Sequence, residues 1–438
     1  MLRTVKSFTL DNPISFQVNL LDWANQFREV VFLDSNQYPQ TYGSYDAILA
    51  VDAFTSLQTD YFHAFDDLQQ YQSQTKDWLF GYLSYDLKND TEALTSKNFD
   101  GLAFPDLYFF QPKKLFLLKD NQIEFHYLRL CDEELDSDFE AITSTHNPQP
   151  TTYNLHPTTH NPQPFSIQQR ISKESYIEKV SKMLEHIHRG DIYEANFCME
   201  FYAEKAIVNP IETYQKLNAI SQPPFAVFFK NNDQFLLSAS PERYLKKEGT
   251  KIISQPIKGT SKRNENAELD AQSKFDLENN SKERAENVMI VDLVRNDLSR
   301  TATKGSVAVE ELCQSYTFKQ VHQLISTVVS EVDNSTSPLE IIKTTFPMGS
   351  MTGAPKISAM KIIEALEETK RGLYSGAVGY FSPEGDFDFN VVIRSILYNA
   401  KNQYLSFSVG SAITSEASPE SEYEECLLKA KAMFEVLQ

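Results

Sequence analysis

Short apolar runs set the rhythm of the first third of the chain. Residues 30–33, 47–51 and 79–82 are too short for helices and the right length for strands. Residues 114–119 and 122–127 flank Asp120-Asn121, a two-residue hairpin signal. The period changes at 173–189, where Ile177, Val180, Met183, Leu184 and Ile187 recur at helical spacing and Gly190 closes the helix. Strand patterns return at 225–229 and 235–238, at 376–381 and 387–396, and at 404–409. Helical stripes cover 282–298, the stretch after 348–355 (Ile362, Ile363, Leu366), and the C-terminus, where Ser418-Pro419 fits an N-cap followed by N1. Strands joined by short turns pair antiparallel. The pattern therefore predicts an α+β fold, with large antiparallel sheets forming a sandwich core and helices on the outer faces, and excludes a doubly wound parallel sheet.

Residues 143–164 break the globular pattern. Thr-His-Asn-Pro-Gln-Pro occurs at 145–150 and again at 159–164, and the stretch holds five prolines and no acidic or basic side chain. Such a segment is a poor core former and reads as an extended tether. His146, His156 and His160 within it fit a metal-binding tract less well than an internal duplication. The expected organisation is a β-rich region at 1–142, a Pro-rich linker at 143–164 and a catalytic domain at 165–438.

With 438 residues, 41% hydrophobic and 23% charged, the chain can bury a sizeable core. Lys plus Arg total 41 against 60 Asp plus Glu, a net charge of −19. That balance disfavours nucleic acid and anionic membranes as partners, and an anionic substrate would need a local island of positive charge. Cys131, Cys198, Cys313 and Cys426 are far apart, with neither zinc-site nor disulfide spacing. No apolar leader and no membrane-spanning window is present, so a reducing cytoplasm is expected.

Two acidic pairs stand out. Glu283 and Glu286 lie one helical turn apart, as do Glu422 and Glu425, with Lys429 a turn further on. Each pair alone reads as a solvated helix face; together, four carboxylates from two helices suit a hard cation such as Mg²⁺. Three small-residue turns could receive anions: residues 256–260 around Lys258 and Gly259, residues 348–355 leading into a helix, and residues 409–412. Glu242, in Ser240-Pro241-Glu242-Arg243, stands at the end of a strand, where a general acid or an ordinary Glu–Arg pair would serve equally. Lys258 reads as a solvated lysine, unless burial beside other cations depresses its pKa and makes it a nucleophile.

These segments, taken together, resemble the chorismate-utilising enzymes, among them anthranilate synthase component I, aminodeoxychorismate synthase component I, isochorismate synthase and salicylate synthase. The matching stretches are residues 190–196, 240–243, 256–260, 285–298, 349–356, 374–380 and 419–425, in family order across roughly 170–438. The N-terminal part matches more loosely, at 32–35 and 81–86. The resemblance implies that Glu286 and Glu425 bind Mg²⁺ together with the ring carboxylate of chorismate, with Glu283 and Glu422 in the same cluster. It implies Glu242 as the general acid for loss of the C4 hydroxyl. It also implies that Gly259, Thr260, Tyr380, Arg394, Gly410 and Lys429 hold the substrate carboxylates.

Two positions point to a branch. Isochorismate and salicylate synthases carry a water-activating lysine two residues after the tyrosine of Gly-x-x-Tyr; this chain has Ala195 there. Anthranilate synthases carry alanine in Pro-Ile-x-Gly-Thr; this chain has Lys258, as aminodeoxychorismate synthases do. In that branch the lysine attacks C2, and ammonia then adds at C4 and expels it, giving 4-amino-4-deoxychorismate. Two departures from the family pattern are Gln323 where relatives have His, with His322 preceding it, and Ala412 where relatives have glycine. A silent chorismate-binding subunit is the alternative that those departures favour. No cysteine sits in a Gly-x-Cys-x-Gly turn, and the chain ends eight residues after Ala430. Ammonia is therefore expected from a separate glutamine amidotransferase subunit or from solution, with no fused lyase.

Overall fold

The structure, a computed structural model, describes residues 2–144 and 165–438. Every pair of named strands is antiparallel, and they join into one continuous ladder. One half runs from Glu194–Ala203 through Tyr404–Ile413, Ser395–Asn399, Gln234–Ser240, Phe225–Asn231 and Glu29–Asp34 to Ala47–Thr59. The other runs from Leu79–Leu83 through Ala377–Phe381, Phe387–Val391, Arg243–Glu248 and Lys251–Gln255 to Val321–Glu331. The long strand Leu107–Lys119 pairs with both Ala47–Thr59 and Leu79–Leu83 and so links the halves. The expected hairpin closes at Asp120, whose φ of 55° is the left-handed conformation such turns use.

The short apolar runs are strands buried on both faces. Along Glu29–Asp34, Val30 and Phe32 enter one core while Val31 enters the other; along Ala47–Thr59, Ala47, Leu49 and Val51 alternate with Ile48 and Ala50 in the same way. The first core is covered by the helices Lys173–Arg189, Pro210–Ser221 and Pro419–Leu437, through Val180 and Met183, Tyr214 and Leu217, and Ala430 and Met433. The second lies between the sheet halves, where Val31 and Phe229 of one share a core with Phe381 and Phe389 of the other. The antiparallel sandwich with outer helices expected from the pattern is the observed α+β fold.

Strand Glu29–Asp34 pairs with Phe225–Asn231, and Leu79–Leu83 with Ala377–Phe381. The stretches before and after the Pro-rich segment thus share both the ladder and the cores. Thr143 and Ser144 form the last turn of the helix Leu135–Ser144; residues 145–164, including His146, His156 and His160, lie outside the described residues. Among the described residues, no helix is long and apolar enough to cross a membrane.

Helix ends follow local chemistry. Ser172 accepts from the Ser175 N–H, and Gly190 at φ 88° closes the helix Lys173–Arg189. The buried face of that helix includes Tyr176, which the apolar stripe alone did not mark. Ser418 occupies the expected cap position before Pro419, but its side chain bonds to Glu420 and caps no N–H.

Candidate active site

One cavity, about 480 Å³, lies between the Pro419–Leu437 helix, the Ser281–Ser299 helix and the mouths of four strands. Glu242 forms its floor. It follows Ser240, whose hydroxyl accepts the Glu242 N–H at 3.3 Å, and it is 4% exposed. Burial pushes its carboxyl up to about 7, against the pull of the Ser350 hydroxyl, the Lys258 charge and the Ile257 N–H. A carboxyl poised near neutrality can donate a proton, as a general acid must.

Lys258 enters from the strand Ile257–Lys262, its Nζ 3.1 Å from Glu194 Oε1. Burial works against its charge, but Glu194, Glu286 and Glu425 outweigh that and raise the ammonium's pKa. The condition for a depressed lysine, other cations nearby, is thus not met: its neighbours are carboxylates. Glu194 is 2% exposed, and its Oε2 has no partner among the described residues. Gly259 follows at φ +93°. A Cβ there would stand 3.1 Å from Leu324 Cδ1 and 3.2 Å from Glu283 Oε2, so glycine lets the strand pass beside the acidic cluster. Thr260 is exposed at the mouth.

The two helices bring all four carboxylates to one wall. Asn280 caps the first helix by accepting from Lys282 and Glu283 N–H, which fixes where Glu283 and Glu286 emerge. Burial raises Glu286 to about 7, and its Oε1 is buried without a hydrogen bond. Glu283 and Glu422 are raised by burial and then by the charge of Glu425. Glu425 is half-exposed at the rim; burial acts upward on it, but the Lys429 charge prevails and lowers it. Carboxylate oxygens facing one another across two helices, one of them orphaned, fit a hard divalent cation. Among the described residues no three such groups converge on a single point, so substrate or water oxygens would complete the shell.

Arg394 forms the opposite wall. The pattern at 387–396 reads as one strand, but the structure breaks it into Phe387–Val391 and Ser395–Asn399, with Arg394 between them at φ 52°. That break aims the side chain into the cavity. Burial lowers its pKa, opposed by Tyr374 and Glu425, and its guanidinium donates to no acceptor among the described residues. A half-buried guanidinium with no partner of its own is a receptor for an anion. Lys429 is different: its Nζ is 2.6 Å from Glu425 and donates to the Gly410 carbonyl at 2.9 Å.

Several expectations are corrected. Tyr380 does not line this cavity; its ring packs against Trp78 at 5.5 Å and Phe80 at 5.7 Å and borders a separate cavity of about 70 Å³. Tyr374, at the other end of the same sequence segment, precedes the strand Ala377–Phe381 and reaches the cavity beside Arg394. Ala195 lies in the first core, so strand alternation gives Glu194 and Asn196 the site-facing positions. Ser350 and Met351 of the turn before Lys356–Leu366 line the cavity, and Lys356 at the start of that helix binds Asp297 at 2.6 Å instead. Gln323 does face the cavity, whereas His322 points away to Asp270 at 3.0 Å. Lys282, Asn196 and Tyr374 are site residues that sequence reasoning did not name; Asn196 and Tyr374 lay within matched segments, as did Ser350, which also belongs to the 348–355 turn expected to receive an anion, and Lys282 had only its place beside Glu283 as a signal.

A cavity of this size with one unpaired arginine, a buried acid, a half-buried amine and an acidic wall fits an enzyme acting on a small carboxylate. The chain belongs to the chorismate binding enzymes, whose family model matches residues 28–435. It is 32% identical over 394 residues to aminodeoxychorismate synthase component 1 of Bacillus subtilis, covering 88% of this chain and 80% of that one. It is 34% identical over 367 residues to the anthranilate synthase component I-like protein of Synechocystis, covering 82% and 72%. The crystal structure of anthranilate synthase component I from Streptococcus pneumoniae superposes with a TM-score of 0.77 at 26% identity, over 91% of this chain and 94% of that one.

Proposed function

We propose that this chain is the chorismate-aminating subunit of an aminodeoxychorismate synthase, making 4-amino-4-deoxychorismate toward p-aminobenzoate and folate. The observation that carries the reading is the amine of Lys258, its side chain 13% exposed, set in the same cavity as the near-neutral acid Glu242 and the unpaired Arg394. Relatives named for anthranilate and for aminodeoxychorismate synthesis both match, and Lys258 is the feature that favours the second.

In this reading Arg394 and Tyr374 orient one substrate carboxylate, and Glu286 and Glu425, with Glu283 and Glu422 beside them, hold Mg²⁺ for the other. The ion supplies charge neutralisation of that carboxylate. Lys258 gives a proton to Glu194, the carboxylate in contact with it, and its nitrogen bonds to C2. Both ring double bonds shift, C1=C2 to C1=C6 and C5=C6 to C4=C5, the C4–O bond breaks, and Glu242 protonates the departing hydroxide to water. Ammonia then forms the C4–N bond, the C2–N bond breaks, and Lys258 recovers its proton. One hard displacement becomes two easier ones. The ammonia comes from a separate glutaminase subunit, and the four buried, unpaired thiols suit a reducing cytoplasm.

The test is to supply the purified chain with chorismate, Mg²⁺ and ammonium, and to identify the product by mass and by its conversion to p-aminobenzoate with an added lyase. Lys258→Ala should still bind chorismate, lose at least about a thousandfold in rate, as removal of a nucleophile does, and show no covalent adduct in intact-mass spectra. Glutamine alone should give no turnover. Anthranilate as product, or a Lys258→Ala variant of unchanged rate, sinks the reading.

A further inference from the structure

Lys282 has no task in that scheme, yet its placement is specific. It is the second residue of the Ser281–Ser299 helix. Its Nζ lies 3.7 Å from Glu286 Oε1 on its own helix and 3.7 Å from Glu422 Oε1 on the Pro419–Leu437 helix. One ammonium thus spans the two helices that carry the carboxylate cluster. Both separations exceed hydrogen-bond length, and Glu286 Oε1 keeps no hydrogen-bond partner. Lys429, by contrast, is fastened to Glu425 at 2.6 Å and to the Gly410 carbonyl at 2.9 Å. Lys282 is held by charge alone, its side chain 42% exposed and free to turn outward.

We propose that Lys282 is the resident counter-cation of this cluster in the metal-free protein, and that a divalent cation binding Glu286 and Glu425 displaces it. The inference rests on the metal reading given above. Four carboxylates brought together without a cation repel one another, and Lys282 relieves that repulsion between the two helices. A dication arriving at Glu286, the carboxylate it would share with Lys282, would face an ammonium within a few ångströms, so both cannot stay. Once displaced, Lys282 still borders the cavity, where its charge faces an incoming anionic substrate. Lys282 therefore weakens metal binding in the absence of substrate while keeping the helices spaced to receive it.

The experiment is a Mn²⁺ titration of the full chain without chorismate, read from the electron paramagnetic resonance signal of free Mn²⁺. Lys282→Met keeps the stem and removes the charge, and should tighten Mn²⁺ binding about fivefold or more, the scale of one partly exposed charge at this distance. Lys282→Arg keeps the charge and should remain within twofold of wild type, by roughly the same arithmetic. Glu425→Gln tests the metal reading itself and should weaken binding. Equal or weaker binding by Lys282→Met, with Glu425→Gln still impaired, overturns the counter-cation role and leaves the metal site standing. Absence of Mn²⁺ binding in wild type and Lys282→Met alike, or indifference to Glu425→Gln, overturns both.

Discussion

Glu242 is a carboxyl whose environment sets its chemistry. In the folded chain burial holds it near 7, while an exposed glutamate titrates about two and a half units lower. Between those values the native state binds more protons than the unfolded one, so this group's contribution to stability falls as pH rises from about 4.5 to 7. Glu242→Gln cannot ionise and escapes that loss. The unfolding free energy of the variant relative to wild type should grow by about 3 kcal/mol across that window. Denaturant titrations at pH 4.5 and 8 measure it, and a pH-independent difference would mean that the carboxyl is not buried uncharged. Glu242 was marked as a candidate in Ser240-Pro241-Glu242-Arg243, but its protonation was not legible, because burial raises it and the Ser350 hydroxyl and Lys258 charge that oppose burial come from distant parts of the chain. Lys258 teaches the same lesson in reverse: its raised pKa comes from Glu194, Glu286 and Glu425, which no local window contains.

The elements position these groups through backbone close approaches. Tyr404–Ile413 pairs with Glu194–Ala203 so that Gly410 sits opposite Cys198. A Cβ on Gly410 would meet Cys198 Sγ at 2.6 Å, Asn196 Oδ1 at 2.8 Å and the Phe197 carbonyl at 3.0 Å. Gly410→Ala should therefore cost about 1–3 kcal/mol, as overpacking does, and disturb the strand that carries Glu194. Cys198→Ala in the same chain should restore part of that loss, since its sulfur is the nearest obstacle. Thermal melts of the single and double variants check this; a Gly410→Ala protein as stable as wild type shows that the ladder can shift at no cost. The strands and helices themselves were readable as periods of two and of 3.6. The break at Arg394 was not, because apolar residues continue through it and only the paired strands on either side reveal where the ladder stops.

At the scale of the whole molecule, the N-terminal 144 residues are structural partners of the site and not an appendage. They supply six strands, two of which pair directly with later ones, and residues to both cores. A chain cut by an engineered protease site within 145–164 should stay assembled, eluting at the size of the intact protein. Residues 165–438 expressed alone should aggregate, because Phe225–Asn231 and Ala377–Phe381 would lose neighbouring strands and become open edges. Soluble, cooperatively unfolding 165–438 would overturn this.

The sequence by itself determined the antiparallel α+β class, the positions of the turns, the acidic pairs and the family, since these depend on periodicity and on contiguous motifs. Only the tertiary structure decided that Tyr374 and not Tyr380 faces the cavity, that Glu194 and not Ala195 meets Lys258, and that Arg394 stands unpaired. The choice between Glu194 and Ala195 turns on which face of a strand points inward, while those at Tyr374 and Arg394 turn on where a strand begins or breaks and on groups carried by elements far away in the chain. Side-chain direction reverses at every residue and electrostatic fields add through space, so neither follows from spacing along the chain alone.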